Sequence, residues 1–222
     1  MGKHFDKELS LLKERILYMG GLAEKQINFA CRVLLERNDS LVDEVIRLEE
    51  TVNRLQLEID ETTVNLIALH QPVAHDLRFL VTAVKVSAEL ERVGDQALNI
   101  ARFARAITSL PQIKHLVDVK AMSESALKML RESLDAFTNN DTELAKSILL
   151  EDDKVDAYRD QVLRELITYI RENPADVTQA VFLLLISRNL ERVADNATNI
   201  AENVIFIVKG KDVRHHSGET KK

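Results

Sequence analysis

The sequence predicts an all-α protein built as two tandem three-helix bundles. Three observations predict it: turn-forming residues are scarce, breaks are few and widely spaced, and the chain repeats itself. The 222 residues include only six glycines and three prolines. Turn-rich β architectures use far more of both, so long helices with few connections are the better match. Apolar residues at 45% and charged residues at 30% suit a folded globular chain with a sizeable core.

The breaks come in order. Asn38-Asp39-Ser40 interrupts a helical pattern, with Ser40 as an expected N-cap and Asp43 three residues on. His70-Gln71-Pro72 is next, and Pro72 suits a helix start. Ser109-Leu110-Pro111 follows. Asn139-Asn140-Asp141 resembles a second cap, with Glu143 three residues after Asn140. Asn173-Pro174 is the last. Six helical segments of roughly 27 to 37 residues are therefore expected, each about 40 to 55 Å long.

These segments repeat. At an offset of 103, Met19, Lys25, Leu41 and Val52 fall on Met122, Lys128, Leu144 and Val155. Past the second break the offset becomes 100. Leu90-Glu91-Arg92-Val93-Gly94-Asp95-Gln96-Ala97-Leu98-Asn99-Ile100-Ala101 then aligns with Leu190-Glu191-Arg192-Val193-Ala194-Asp195-Asn196-Ala197-Thr198-Asn199-Ile200-Ala201, identical at nine of twelve positions. Two copies are too few for a stacked solenoid, so paired bundles are expected. The first repeat is placed at 1–108, the second at 112–209, and a polar tail expected to be mobile at 210–222.

Charge and composition exclude several function classes. The net charge is −6 and no dense Lys/Arg run exists, which argues against nucleic acid as a partner. Cys31 is the only cysteine, so no intrachain disulfide forms and a reducing compartment is expected. Residues Met1 to Ser10 are polar and charged, unlike a secretory signal. The longest apolar run, Ala180 to Ile186, is far short of the roughly 20 residues needed to cross a bilayer. Any membrane contact is expected to be peripheral. No phosphate loop, Gly-x-Ser-x-Gly elbow or His-Glu-x-x-His is present, and no enzyme is expected. His70 and His75 flank Pro72, where capping or solvation is the expected role.

The repeated motif carries the chemistry. On a helical wheel Val86, Leu90, Val93, Ala97, Ile100, Ala101 and Ala104 form one core stripe. Glu91, Asp95 and Asn99 lie opposite, and Glu191, Asp195 and Asn199 copy them. Such a row is commonly a solvated face. Yet like charges at i, i+4 destabilise a helix by about 0.2–0.5 kcal/mol, and this pair recurs in both copies. A row of carboxylates ending in an amide oxygen suits hard cations such as Mg²⁺, Mn²⁺, Fe or Ca²⁺. One helix cannot complete a coordination shell. The second and fifth helices offer Glu49, Glu50 and Asn53, and Asp152, Asp153 and Asp156. In the third and sixth helices, Leu77, Val81, Val84 and Ala88, and Val177, Val181 and Leu184, give a second apolar side. Either a helix of the same copy or a second subunit is expected to cover it.

At these residues the sequence resembles the PhoU family of phosphate-signalling regulators. The likeness spans nearly the whole chain: six helices, Gln71-Pro72-Val73-Ala74-His75-Asp76-Leu77-Arg78, both Leu-Glu-Arg-Val-x-Asp motifs, and the Asn199-Ile200-Ala201-Glu202 … Val208-Lys209-Gly210 ending. The resemblance implies a cytoplasmic adaptor between a phosphate ABC transporter, through its ATPase, and a membrane sensor histidine kinase. Such an adaptor holds the phosphate-starvation response off and restrains uptake when phosphate is plentiful. It also implies surface metal ions (Fe, Zn, Mn or Mg) held by Glu91 and Asp95 in the first copy and Glu191 and Asp195 in the second. Asn99 and Asn199 continue those rows, and Glu50, Asp153 and Asp156 are the helix-two and helix-five candidates. A homodimer is implied as well. The competing readings are a metal-storage or metalloenzyme bundle and a helical adaptor without metal.

Overall fold

The computed structural model describes residues 3–111, 113 and 117–210. Its six helices are α1 (Lys3–Leu35), α2 (Leu41–His70), α3 (Ala74–Ile107), α4 (Val117–Asn139), α5 (Thr142–Glu172) and α6 (Val177–Lys209), with a 3₁₀ turn at Pro174–Asp176 before α6. The described residues contain no strand. The tail from residue 211 on, with His215 and His216, lies outside them.

The helix ends follow local chemistry, and several differ from the sequence expectation. Ser40 makes no side-chain cap. Instead the Ser40 amide and hydroxyl both donate to Asn38 Oδ1, at 3.2 and 2.6 Å. Asn140 is not the cap of α5 either. It takes a left-handed φ of 53°, and Asp141 caps instead, its Oδ1 accepting from the amides of Glu143 and Leu144 at 2.9 and 3.0 Å. Pro72 lies before α3 rather than in its first turn, because Gln71 closes α2 with a left-handed φ of 46°. The α4 helix is described over 23 residues, Val117–Asn139, and most of the expected stretch between Pro111 and Val117 lies outside the described residues.

Each bundle closes on its own apolar stripe. In α3 the stripe read from the wheel is buried throughout: Val86, Leu90, Val93, Ala97, Ile100, Ala101 and Ala104. In α6, Leu190, Val193, Ala197, Ile200 and Ala201 repeat the pattern. Each Leu, Val or Ile buried this way stabilises by about 1.5–3 kcal/mol. That far outweighs the few tenths of a kcal/mol that a like-charged i, i+4 pair costs, so the fold tolerates the acidic motif easily.

The two bundles join through α3 against α6 and α1 against α4. The α3–α6 pair runs antiparallel. Arg78 Nε donates to the Ile207 carbonyl at 3.1 Å, Asn199 Nδ2 donates to Glu89 Oε2 at 3.2 Å, and Phe103 packs on Phe182 at 5.9 Å. Numbers rising on one helix meet numbers falling on the other. On the α1–α4 side, Lys13 Nζ donates to the Thr138 carbonyl at 2.6 Å and Arg131 Nε to Glu24 at 3.0 Å. A Cβ on Gly20 would lie 2.7 Å from Leu134 Cδ1 and Cδ2, so glycine there permits the close approach of α1 and α4. Among the described residues α2 packs only on α1 and α3, and α5 only on α4, α6 and the 3₁₀ turn. Both therefore lie on the flanks.

The second apolar side of α3 and α6 is not covered by a helix of its own copy. Leu77, Val81, Val177 and Val181 are exposed, while Val84, Ala88 and Leu184 are half-buried. His70 is not a solvated cap: its Nε2 meets Glu8 Oε2 at 3.0 Å and its ring packs on Phe5 at 4.7 Å, tying the end of α2 to the start of α1. No described helix is long and apolar enough to cross a membrane.

Candidate functional site

The acidic motif lies where the flanking helix of each bundle meets α3 or α6. In the first copy three helices converge. Gln26 of α1 is fully buried, Glu49 of α2 is 6% exposed, and Gly94 of α3 is buried between them. Gln26 Nε2 donates to Glu49 Oε2 at 2.6 Å and reaches the carbonyls of Val45 and Gly94 at 3.3 Å each. Three acceptors around one amide nitrogen fix which way the amide points. Its Oε1 is left buried without a hydrogen-bond partner. A Cβ built on Gly94 would lie 2.8 Å from Glu49 Oε2 and 3.1 Å from Gln26 Oε1. Glycine is thus what admits both side chains.

Asp95 faces solvent beside this buried pair, and Glu91, one turn earlier, is half-buried. Asp95 and Asn53 lie close to the Glu49 carboxyl. Burial first, and the charge of Asp95 also, push the Glu49 carboxyl above its ordinary range, against the lowering effect of the Gln26 amide. Burial and then Asp95 raise Glu91 as well. Among the described residues none of Glu49, Glu91 and Asp95 forms an ion pair; Arg92, beside them, pairs with Glu89 at 3.1 Å instead.

The second copy has the same plan with different parts. Asp152 of α5 stands where α2 has Glu49, Ala194 where α3 has Gly94, and Met129 where α1 has Gln26. Asp152 is half-buried and its carboxyl is pushed up to about 6, by burial first and then by the charges of Asp195, Asp156, Asp153 and Glu191. Asp195 is raised by burial, then by Glu191 and Asp156. Arg159 reaches into this group. Its Nη1 bonds to Glu191 and lies 3.2 Å from Asp156 Oδ1, while Nη2 and Nε hold Asp160 Oδ1 at 2.9 and 3.1 Å.

The residues expected from the sequence divide into three groups. Glu91 and Asp95, and Glu191, Asp195 and Asp156, sit in these two acidic grooves. Glu50 and Asp153 are exposed on the outer sides of α2 and α5; their neighbours Glu49 and Asp152 are the ones turned toward Asp95 and Asp195. Asn199 does not continue a solvent-facing row, because its amide donates to Glu89 across the α3–α6 seam, and Asn99 is half-buried. Among the described residues no three carboxylate, histidine or cysteine groups are gathered closely enough to hold an ion as they stand. Sequence reasoning missed Gln26, Gly94 and Arg159. Gln26 interrupts the apolar stripe Met19, Ala23, Ile27, Ala30 of α1, which was a signal available on the wheel. Arg159 follows Asp156 by three residues and so shares its face.

Comparisons with known proteins agree with this architecture. The family model described as PhoU domain matches twice, at residues 16–104 and 119–204. The Phosphate-specific transport system accessory protein PhoU homolog of Pseudomonas aeruginosa is 37% identical over 216 residues, covering 97% of this chain and 89% of the relative. The Phosphate-specific transport system accessory protein PhoU of Escherichia coli K12 is 35% identical over 215 residues, with 97% and 89% covered. The crystal structure of PhoU from Pseudomonas aeruginosa superposes with a TM-score of 0.90 at 36% identity, covering 93% of this chain and 100% of that one. That of the phosphate transport system regulatory protein PhoU from Streptococcus pneumoniae gives 0.88 at 27%, with 94% and 99% covered. With two matched repeats, near full-length relatives and the same six-helix fold, the chain belongs to the PhoU family.

Proposed function

We propose that this protein is an accessory regulator of phosphate transport that acts as a metal-binding adaptor. It links the ATPase of a phosphate ABC transporter to a sensor histidine kinase, and it keeps the phosphate-starvation response off and uptake restrained when phosphate is plentiful. The role in phosphate transport is supported by relatives that share the fold over nearly the whole chain and are named for that system.

The observation that carries the metal part is the duplicated acidic groove. Each copy raises carboxyls by burial and mutual repulsion, and a cation would relieve both. The local features fit such a group. Gln26 Oε1 is a buried acceptor without a partner, Gly94 lets it and the Glu49 carboxylate approach α3 closely, and the Arg159 guanidinium already sits among the second-copy acids. Drawn closer together than they stand, Glu49, Glu91 and Asp95 would hold one ion, and Asp152, Asp156, Glu191 and Asp195 another. Bound there, Fe, Zn, Mn or Mg would supply positive charge that stiffens the two grooves. Glu50, Asp153, Asn99 and Asn199 would act from outside these sets. The exposed Leu77, Val81, Val177 and Val181 suit a homodimer contact or a partner surface.

The test is genetic and biochemical together. Deleting the gene should switch on alkaline phosphatase in high phosphate. The purified chain should capture the transporter ATPase and the kinase. Unchanged repression in the deletion strain would end the regulatory reading. Metal analysis of wild type beside Asp95→Ala plus Asp195→Ala separates the adaptor from its rival, a metal-storage or metalloenzyme bundle, which would load many ions or turn over a substrate.

A further inference from the structure

We propose that Arg159 is an internal counter-cation of the second acidic groove, which a metal ion must displace, so that the two halves take up cations unequally and the first half fills first. This rests on the metal-binding reading above.

Arg159 partly neutralises acids that an incoming ion needs. It bonds to Glu191 and lies 3.2 Å from Asp156, both in the second-copy set. The Glu191 side chain is only 21% exposed, so this pair is less screened by water than an ordinary surface ion pair. A guanidinium and a metal ion compete for those carboxylates, because two cations on the same acids repel each other. The first copy is built differently. Gln56 stands at the position of Arg159 and carries no charge. Glu49, Glu91 and Asp95 have no ion pair among the described residues, and a buried acceptor, Gln26 Oε1, waits beside them. A cation entering the first groove meets unpaired acids, whereas one entering the second must first release a bonded arginine.

The fold gives Arg159 somewhere to go. Its Nε and Nη2 already hold Asp160, the next residue on α5, at 3.1 and 2.9 Å. Asp160 is exposed. Arg159 can therefore let go of Glu191 and Asp156 while keeping one carboxylate. Filling the second groove then changes the surface twice, neutralising its acids and freeing a guanidinium on the flank of α5. The second groove responds at a higher cation level than the first, which grades the adaptor's surface charge.

The experiment is calorimetric titration of the chelator-stripped, full-length chain with Mn²⁺. Glu91→Gln plus Asp95→Asn silences the first groove, and Glu191→Gln plus Asp195→Asn silences the second. In the first background, Arg159→Gln should tighten Mn²⁺ binding about tenfold, the size expected for removing one charged competitor. In the second background, the reverse change, Gln56→Arg, should weaken it by a similar factor. Circular dichroism confirms that each variant is folded. Unchanged or weaker binding in Arg159→Gln overturns the proposal, because the guanidinium would then be arranging the acids rather than competing for them. If the wild type binds Mn²⁺ in neither groove, the metal reading falls and this proposal with it. Binding that ignores Arg159 sinks this proposal alone.

Discussion

Gly94 and Glu49 are in contact across α3 and α2: a methyl group on Gly94 would sit 2.8 Å from Glu49 Oε2. The second copy solves the same packing problem in the opposite way. It has Ala194 for Gly94 and, one methylene shorter, Asp152 for Glu49. One carbon gained on the third helix of the repeat is matched by one lost on the second. Gly94→Ala alone should therefore destabilise by about 1–3 kcal/mol, the usual cost of overpacking. Glu49→Asp should recover part of that loss in the double variant, with a coupling energy of about 0.5–3 kcal/mol. Urea denaturation of the four proteins measures it. Strictly additive effects would mean that the two positions do not share this space.

The acidic grooves make apo stability depend on pH in a defined direction. Asp152 titrates at about 6 in the folded chain, against about 3.9 for an unfolded aspartate. The folded state holds the proton more tightly, so the stabilisation is complete below about pH 4 and is lost as pH rises through about 6. Glu49 is shifted in the same direction. In chelator-treated protein, lowering the pH from about 7.5 to 5 should raise Tm by about 2–4 °C, the equivalent of roughly 1 kcal/mol in a chain of this length. Solvent screening at the half-buried carboxyl limits the gain to that size. Asp152→Asn should flatten the profile. A wild-type Tm that falls over this range, or a variant with the same slope, would remove Asp152 as its source.

The two loops that resemble caps are not equivalent. Asp141 accepts from two backbone amides of α5 at 2.9 and 3.0 Å, whereas the Ser40 side chain accepts from none of α2. Asp141→Ala should cost about 1 kcal/mol. Ser40→Ala should stay within about 0.5 kcal/mol, as surface changes usually do. Equal losses in thermal melts would contradict this assignment.

These contrasts show what a sequence reader can and cannot see. The core stripe of α3 was legible because helical periodicity fixes which residues share a side, and Val86, Leu90, Val93, Ala97, Ile100, Ala101 and Ala104 are all buried. The duplication was legible because nine of twelve motif positions coincide. The groove was only half legible. A wheel drawn for α3 alone places Glu91 and Asp95 correctly away from the core, but it cannot show that α2 turns Glu49 rather than Glu50 toward them. That choice depends on how α2 is rotated against α3, which is set by the burial of Val45, Val52, Leu55 and Ile59. The Asn199 contact is hidden from a wheel for a similar reason. Its partner Glu89 lies 110 residues away and meets it only once the two bundles have docked. Arg159 escaped notice because a charge at i+3 from an aspartate is ordinary on a helix, and its second partner, Glu191, comes from α6.

Cys31 offers a direct probe of that docking. It lies beside Leu34 of α1, Ile100 of α3, Val119 and Ser123 of α4, and Ile186 and Leu190 of α6, at the junction of the two halves. The thiol is buried, and burial pushes it up to about 12, with the Ser123 hydrogen bond pulling the other way. The thiolate is the reactive form, so the native protein at about pH 8 should resist iodoacetamide far longer than a free cysteine with a pKa near about 8.5. Labelling requires the junction to open. If the halves separate only when the whole chain unfolds, the labelling and circular dichroism midpoints in urea will coincide. Labelling that starts well below the dichroism transition would reveal a sub-global opening between the bundles. Rapid labelling of the native chain without urea would contradict the burial of Cys31 and, with it, the packing of α1 against α4 at this point.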